Sequence, residues 1–194
     1  MNAVAEEQLR ANVYSLLARL LAAPPDEEVL ARLAQIEAEP DAHGMAGAWH
    51  MLKLAAASSS VAALDDEYHA LFIGVGRGEL VPFGSWYMTG FLMDKPLTYL
   101  RQDLAEFGIV RQDGVKEPED HAAALCETMA LIIGHDGEID FARQQAFYKN
   151  HVQPWMRLFF EDLENAQAAT FYKAVARLGR EMIDFESQYL AMPA

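Results

Sequence analysis

Five consecutive residues, Glu117-Pro118-Glu119-Asp120-His121, set three carboxylates beside an imidazole. Carboxylates grouped in this way accept charge-assisted, bidentate hydrogen bonds from arginine. With the histidine they also supply ligand types for a metal, and so for metal-assisted hydrolysis. The negative neighbours favour the protonated imidazole. Proline is well suited to the first helical position, so a helix is expected to begin at Pro118. Glu117 then lies at or before the N-cap, Asp120 near the third position and His121 on the following turn. The positive end of the helix dipole stabilises each acid there by roughly 0.3–1 kcal/mol. Capping explains the acids but not the whole combination.

The spacing argues against a metal. Glu117, His121 and Cys126 are ligand types, yet Cys126 stands five residues beyond His121 and turns away from it on a helix. The later run His135, Asp136, Glu138, Asp140 lacks the calcium-loop pattern of alternating acids before a glycine. Cys126 sits among alanine and leucine, where a buried, inert thiol is expected. No serine occupies a nucleophile elbow. The enzyme reading that survives is a small helical metal-dependent hydrolase using Glu117, Asp120 and His121.

Glycines at 74, 76, 78 and 84, with Pro82, fall within eleven residues, a density that predicts an irregular loop. Gly74-Val75-Gly76-Arg77-Gly78 invites a nucleotide reading, but the lysine and the preceding strand of a phosphate loop are missing. What remains is anion contact through Arg77 and loop N–H groups. The same stretch carries Phe83, Trp86, Tyr87, Met88 and Phe91. A glycine-rich loop with that many large side chains is either ordered by packing or presents its rings to a partner.

Helices position these segments. Leu9, Val13, Leu16, Leu17, Leu20 and Leu21 form the first amphipathic stripe, stopped by Pro24-Pro25. Asp26 is expected to cap a second helix bearing Leu30, Leu33 and Ile36. A third runs through Trp49 and Leu52 to the serines 58–60, and a fourth carries Leu64, Tyr68, Leu71 and Phe72. Asp94 caps a helix with Pro96 in its first turn, ended by Gly108. The helix from Pro118 runs to Gly134, and three more are expected over about 138–150, 154–165 and 167–190. No strand pattern or internal repeat is evident. The expectation is an all-α chain of about eight to ten helices forming one domain over 1–194.

Composition narrows the partners. The 194 residues are 52% hydrophobic, enough for a sizeable core. Twenty-nine acidic against fifteen basic residues leave a net charge of −14, which repels nucleic acid and anionic lipid and attracts cationic peptides. Residues Met1 to Arg10 contain two glutamates and no apolar core, so no signal peptide is expected there. Apolar stretches stop short of a membrane span. One cysteine permits no intrachain disulfide and suits a reducing compartment.

Two segments resemble the TorD/DmsD/NarJ family of redox-enzyme maturation chaperones. The first is Glu67-Tyr-His-Ala-Leu-Phe-Ile-Gly-Val-Gly followed by Pro82-Phe-Gly-Ser-Trp-Tyr; the second is the Glu-Pro-x-Asp-His signature at 117–121. The first helix, with Tyr14-x-Leu-Leu-Ala-Arg-Leu-Leu before Pro-Pro, also matches, and the resemblance covers about residues 7–190. It implies an all-helical cytoplasmic chaperone without turnover or a cofactor of its own, monomeric or homodimeric. Such a protein binds the twin-arginine leader, and sometimes the body, of a molybdoenzyme precursor, of the dimethyl sulfoxide or trimethylamine N-oxide reductase, formate dehydrogenase or nitrate reductase type. It holds the precursor until its cofactor is loaded. The resemblance assigns leader recognition to Asp120 and His121, with Glu117 beside them. Phe83, Ser85, Trp86 and Tyr87 form a neighbouring wall, and Arg77 lies in the loop before it. Relatives often carry tryptophan near Phe83, whereas here Trp86 comes three residues later, so the aromatic contact stays open between the two.

Overall fold

The computed structural model describes residues 3–40, 43–112, 114–134 and 139–192. Ten α-helices form among them: α1 (Ala3–Ala22), α2 (Glu27–Ala34), α3 (Gly44–Ser58), α4 (Val61–Tyr68), α5 (Gly84–Thr89), α6 (Lys95–Glu106), α7 (Ala122–Gly134), α8 (Phe141–Phe147), α9 (Met156–Asn165) and α10 (Phe171–Tyr189). The fold is all-α, and among the described residues the sole strand-like pairing is an isolated bridge between Phe83 and His121. No described helix is long and apolar enough to cross a membrane. The expected run at His135, Asp136 and Glu138, and the start of the helix expected from about 138, lie outside the described residues.

The chain divides into two compact units. One comprises Met1–Ala22, Pro82–Met156 and Met192–Ala194. In it α1 packs along α7. Tyr14, Leu17 and Leu21 from α1, and Leu125, Met129 and Ile132 from α7, are buried. Helix α7 is apolar nearly all round, as a helix at the centre of a bundle must be. Helix α8 passes into a π turn over Tyr148–Val152, which brings Trp155 into the core.

The second unit comprises Ala23–Val81 and Arg157–Ala191. Here α3 packs on α2 and on α10. Helix α10 buries Phe171, Val175, Leu178 and Met182, an i, i+4, i+7, i+11 stripe. It begins at Phe171, not near 167, because two carboxylates hold the preceding connection. Glu67 accepts the backbone N–H groups of Thr170, Phe171 and Tyr172 at 2.7, 3.2 and 2.8 Å. Glu79 accepts those of Gln167 and Ala168 at 2.6 and 3.0 Å. Orphan donors at a helix start are thus met by acids about a hundred residues away in sequence.

The fourth predicted helix also differs. Its α-helical part stops at Tyr68 and widens into a π turn over His69–Ile73. Gly74 closes it at φ +61°, its N–H bonded to His69 O at 2.7 Å. A side chain on Gly74 would stand 2.0 Å from Arg77 O, so the glycine is required by a backbone folded back on itself. Close approach also governs Gly179 in α10, where an added Cβ would lie 2.2 Å from Phe160 Cε1 of α9. Gly179→Ala is therefore expected to destabilise the protein by about 1–3 kcal/mol through overpacking, despite alanine's better helix propensity. A lowered urea midpoint at unchanged slope would show it, and a raised midpoint would refute it.

Candidate functional site

The two segments singled out in the sequence meet in the first unit. Phe83 and His121 pair as an antiparallel bridge. Gly84 N donates to Asp120 O at 2.9 Å, and Ala122 N donates to Pro82 O at 2.8 Å. This pairing draws Asp120 and His121 out of helical geometry. Residues 118–121 form a turn closed by His121 N to Pro118 O at 3.1 Å, and α7 starts at Ala122. The expected helix start at Pro118 is therefore corrected by four residues, and Asp120 does not occupy its third position.

Asp120 caps a different helix. The glycine-rich segment was expected to be irregular, yet residues 84–89 form α5. Its N-cap, Phe83, has no side chain able to accept a hydrogen bond, and none is made. Asp120 Oδ2 takes that role, accepting from Ser85 N at 2.7 Å. Gly84 starts the helix where a Cβ would sit 3.0 Å from Trp155 Nε1. Tyr87 packs on the same indole with centroids 5.5 Å apart.

The other oxygen of Asp120 is the unusual group. Asp120 is 3% exposed, and its Oδ1 is buried without a hydrogen-bond partner. Leaving a buried acceptor unmatched costs about 1–3 kcal/mol, more when it is charged. One oxygen of the carboxylate is thus committed to the fold and the other is left unmatched.

His121 departs from expectation. Its Nδ1 accepts the backbone N–H of Ala123 at 3.1 Å, which assigns the proton to Nε2. Burial pushes its pKa down to about 4, outweighing the opposing charges of Glu117 and Asp120. The protonated imidazole expected from the acidic neighbours is corrected: the ring is neutral, edge-on to Phe83 at 5.0 Å between centroids.

The three carboxylates are not equivalent. Burial alone would raise the pKa of Glu119, but its hydrogen bond to Arg101 and the charges of Arg101 and Arg111 hold it below the usual range. Arg101 Nε lies 2.9 Å from Glu119 Oε2, and Arg111 Nε lies 4.0 Å from Oε1. Glu119 is therefore answered by arginines of the chain itself. Glu117 is exposed.

Ser85 is fully buried, with its N–H on Asp120 and its Oγ accepting from Met93 N at 3.1 Å. It orders the wall and offers no surface. Phe83, Trp86 and Tyr87 are partly buried. Arg77 belongs to the second unit, on the exposed loop after the π turn. Among the described residues no three His, Cys, Asp or Glu side chains gather at metal-binding distance, and His121 Nδ1 is already engaged. Cys126 is buried, which pushes its thiol well above the usual range. Trp155 and Arg101 were not singled out in the sequence. Only their spatial meeting with Gly84 and Glu119 gives them a role, and no local pattern announces it.

The neutral His121 has a testable consequence. Its folded pKa, about 4, lies below the ordinary value near 6.5. The stability it contributes is complete above about pH 6.5 and is lost as the pH falls toward 4, because the unfolded chain takes up the proton first. Urea midpoints measured from pH 7 to 4 are expected to fall, and His121→Asn should flatten part of that slope. Parallel profiles for the two proteins would contradict the neutral buried ring.

Comparison with known proteins adds family. The model described as nitrate reductase delta subunit matches residues 38–161, well over half of the chain and both site segments. Chaperone protein TorD of Vibrio parahaemolyticus is 27% identical over 134 residues, 64% of this chain and 62% of that protein. TorD of Shewanella pealeana is 25% identical over 203 residues, 95% of this chain and 90% of that protein. The chain spans less than two thirds of the length of the first Vibrio relatives. In structure it is similar to a candidate redox enzyme maturation protein from Archaeoglobus fulgidus, with a TM-score of 0.57 at 17% identity over 90% of this chain and 93% of that one, a likeness of fold. The match over residues 38–161 makes the chain a member of the TorD/NarJ family, whose description is nitrate reductase delta subunit.

Proposed function

We propose that this chain is a cytoplasmic maturation chaperone, not an enzyme, that binds the twin-arginine leader of a molybdoenzyme precursor and holds the precursor for cofactor insertion before export. The observation carrying this reading is Asp120 Oδ1, a buried carboxylate oxygen with no donor of its own, beside exposed Glu117. A guanidinium from the leader supplies the missing donor, and a charged donor is the strongest available partner. The net charge of −14 favours the approach of such a cation. His121 presents Nε2–H as a neutral donor, suited to a peptide carbonyl. Phe83, Trp86 and Tyr87 supply the neighbouring aromatic surface, and the precursor body is a second partner of the same reading. The names of the TorD relatives support the chaperone class.

The engagement of His121 Nδ1 by Ala123 N–H and of Asp120 Oδ2 by Ser85 N–H both weigh against a hydrolytic site built on Glu117, Asp120 and His121. The test is calorimetric titration of the protein with a synthetic peptide bearing adjacent arginines. Asp120→Asn keeps an acceptor for Ser85 N–H while removing the charge. Its affinity is expected to fall roughly ten-fold or more, as for loss of a charge-assisted bond, with helix content intact. Affinity should also weaken with added salt. Equal binding by Asp120→Asn and the parent protein would exclude Asp120 as the cation site.

A further inference from the structure

The acid segment carries arginines of its own. Arg101 of α6 reaches the turn before α7 and sets its Nε at 2.9 Å and its Nη2 at 2.8 Å from Glu119 Oε2. Arg111, in the connection after α6, brings its Nε to 4.0 Å from the other oxygen, Oε1. One carboxylate thus faces two guanidinium groups, while the next in sequence, Asp120, keeps a buried oxygen with no partner.

That allocation runs against the composition of the chain. Twenty-nine acids against fifteen bases make basic groups scarce, and other described arginines are shared among acids. Arg157 pairs with both Glu161 and Asp184, and Arg177 with both Glu164 and Glu181. Glu164 also meets Arg180, but there two arginines balance two glutamates. At Glu119 two arginines converge on one acid, a local surplus of positive charge in a molecule of net charge −14. Stability is a poor account of the second arginine. An exposed pair contributes about 0–1 kcal/mol, and Arg111 stands at the longer distance with its side chain 42% exposed.

We infer that Arg101 and Arg111 are specificity-determining residues: they cover Glu119, so that the site takes a cation at Asp120 and gains nothing from further positive charge. This rests on the leader-binding reading and adds the selectivity of the same site. A ligand's lysine or arginine reaches Glu119 only by displacing a side chain of the same molecule, whose tether gives it a high effective concentration. One ion pair is then exchanged for another with little net change. The displaced guanidinium also repels the cationic ligand. The overall negative field attracts every basic segment alike. Covering Glu119 separates a segment with an arginine placed to meet Asp120 from one that is merely basic.

The experiment is calorimetric titration of the full chain with two synthetic peptides. One carries adjacent arginines among serine and glycine; the other adds lysines to the same sequence. At about 0.15 M salt, where long-range attraction is screened, the parent protein is expected to bind the two within about three-fold of each other. Arg101→Gln/Arg111→Gln uncovers Glu119 and should prefer the lysine-bearing peptide by about ten-fold or more. Adding Glu119→Gln to that variant should return the ratio to the parent's, which separates an uncovered carboxylate from the loss of two positive charges. Arg111→Gln alone should acquire part of the preference, and it keeps the test in hand where the double variant does not fold. An unchanged ratio in every folded arginine variant overturns the covering role and leaves the cation site at Asp120 standing. A raised ratio that persists with Glu119→Gln assigns the effect to net charge and also overturns it. So does a ten-fold preference for the lysine-bearing peptide already present in the parent. Failure of the parent to bind either peptide overturns leader binding and the covering role together.

Discussion

The hydrogen bond from Ser85 N to Asp120 Oδ2 is the contact on which the rest of the site depends. It caps a six-residue helix that has no capping side chain of its own. It draws the Glu117–His121 segment away from its own helix and against Pro82–Gly84. It also fixes Ser85, whose hydroxyl then holds the turn at Met93. A charge-assisted bond in a dry setting is strong enough for this, and the short backbone bridge around it prevents the two segments from sliding.

Much of the fold was legible in the sequence because its helices follow local rules. Asp26 and Asp94 as caps and the apolar run of α7 are statements about near neighbours and appear as read, whereas the α1 stripe holds at Leu17, Leu20 and Leu21 and fails at Leu9, which is exposed. The misreadings share a different cause. Helix α7 starts late and α10 starts late because each N-terminal segment is claimed by a distant partner, Pro82 and Phe83 in one case, Glu67 and Glu79 in the other. Glycines 74, 78 and 84 were read as breakers, whereas their missing side chains make room for backbone or for Trp155. Local rules register the glycine but not what it accommodates.

The electrostatics of the site were read as a sum of charges, and burial divided that sum. Three carboxylates and a histidine in five residues suggest one acidic centre with an imidazolium. Instead Glu119 faces Arg101 and Arg111, Asp120 is shared between a helix start and an unmatched oxygen, and His121 is kept neutral by its surroundings. On the proposed reading, recognition here depends on where a donor can fit more than on how much charge arrives. A peptide with additional positive charge gains little at Glu119, which the chain already satisfies. This favours selection by geometry among cationic peptides.

The capping of α5 from 35 residues away also sets when the site exists. Six residues cannot sustain a helix alone, since nucleation costs more than so few bonds return. Closing a loop of that length carries its own entropy. Helix α5, the turn at Met93 and the orientation of Asp120 therefore depend on the assembled unit around them. Partly folded molecules display the same residues without the arrangement. The surface proposed to receive a cationic peptide thus exists only in the folded unit.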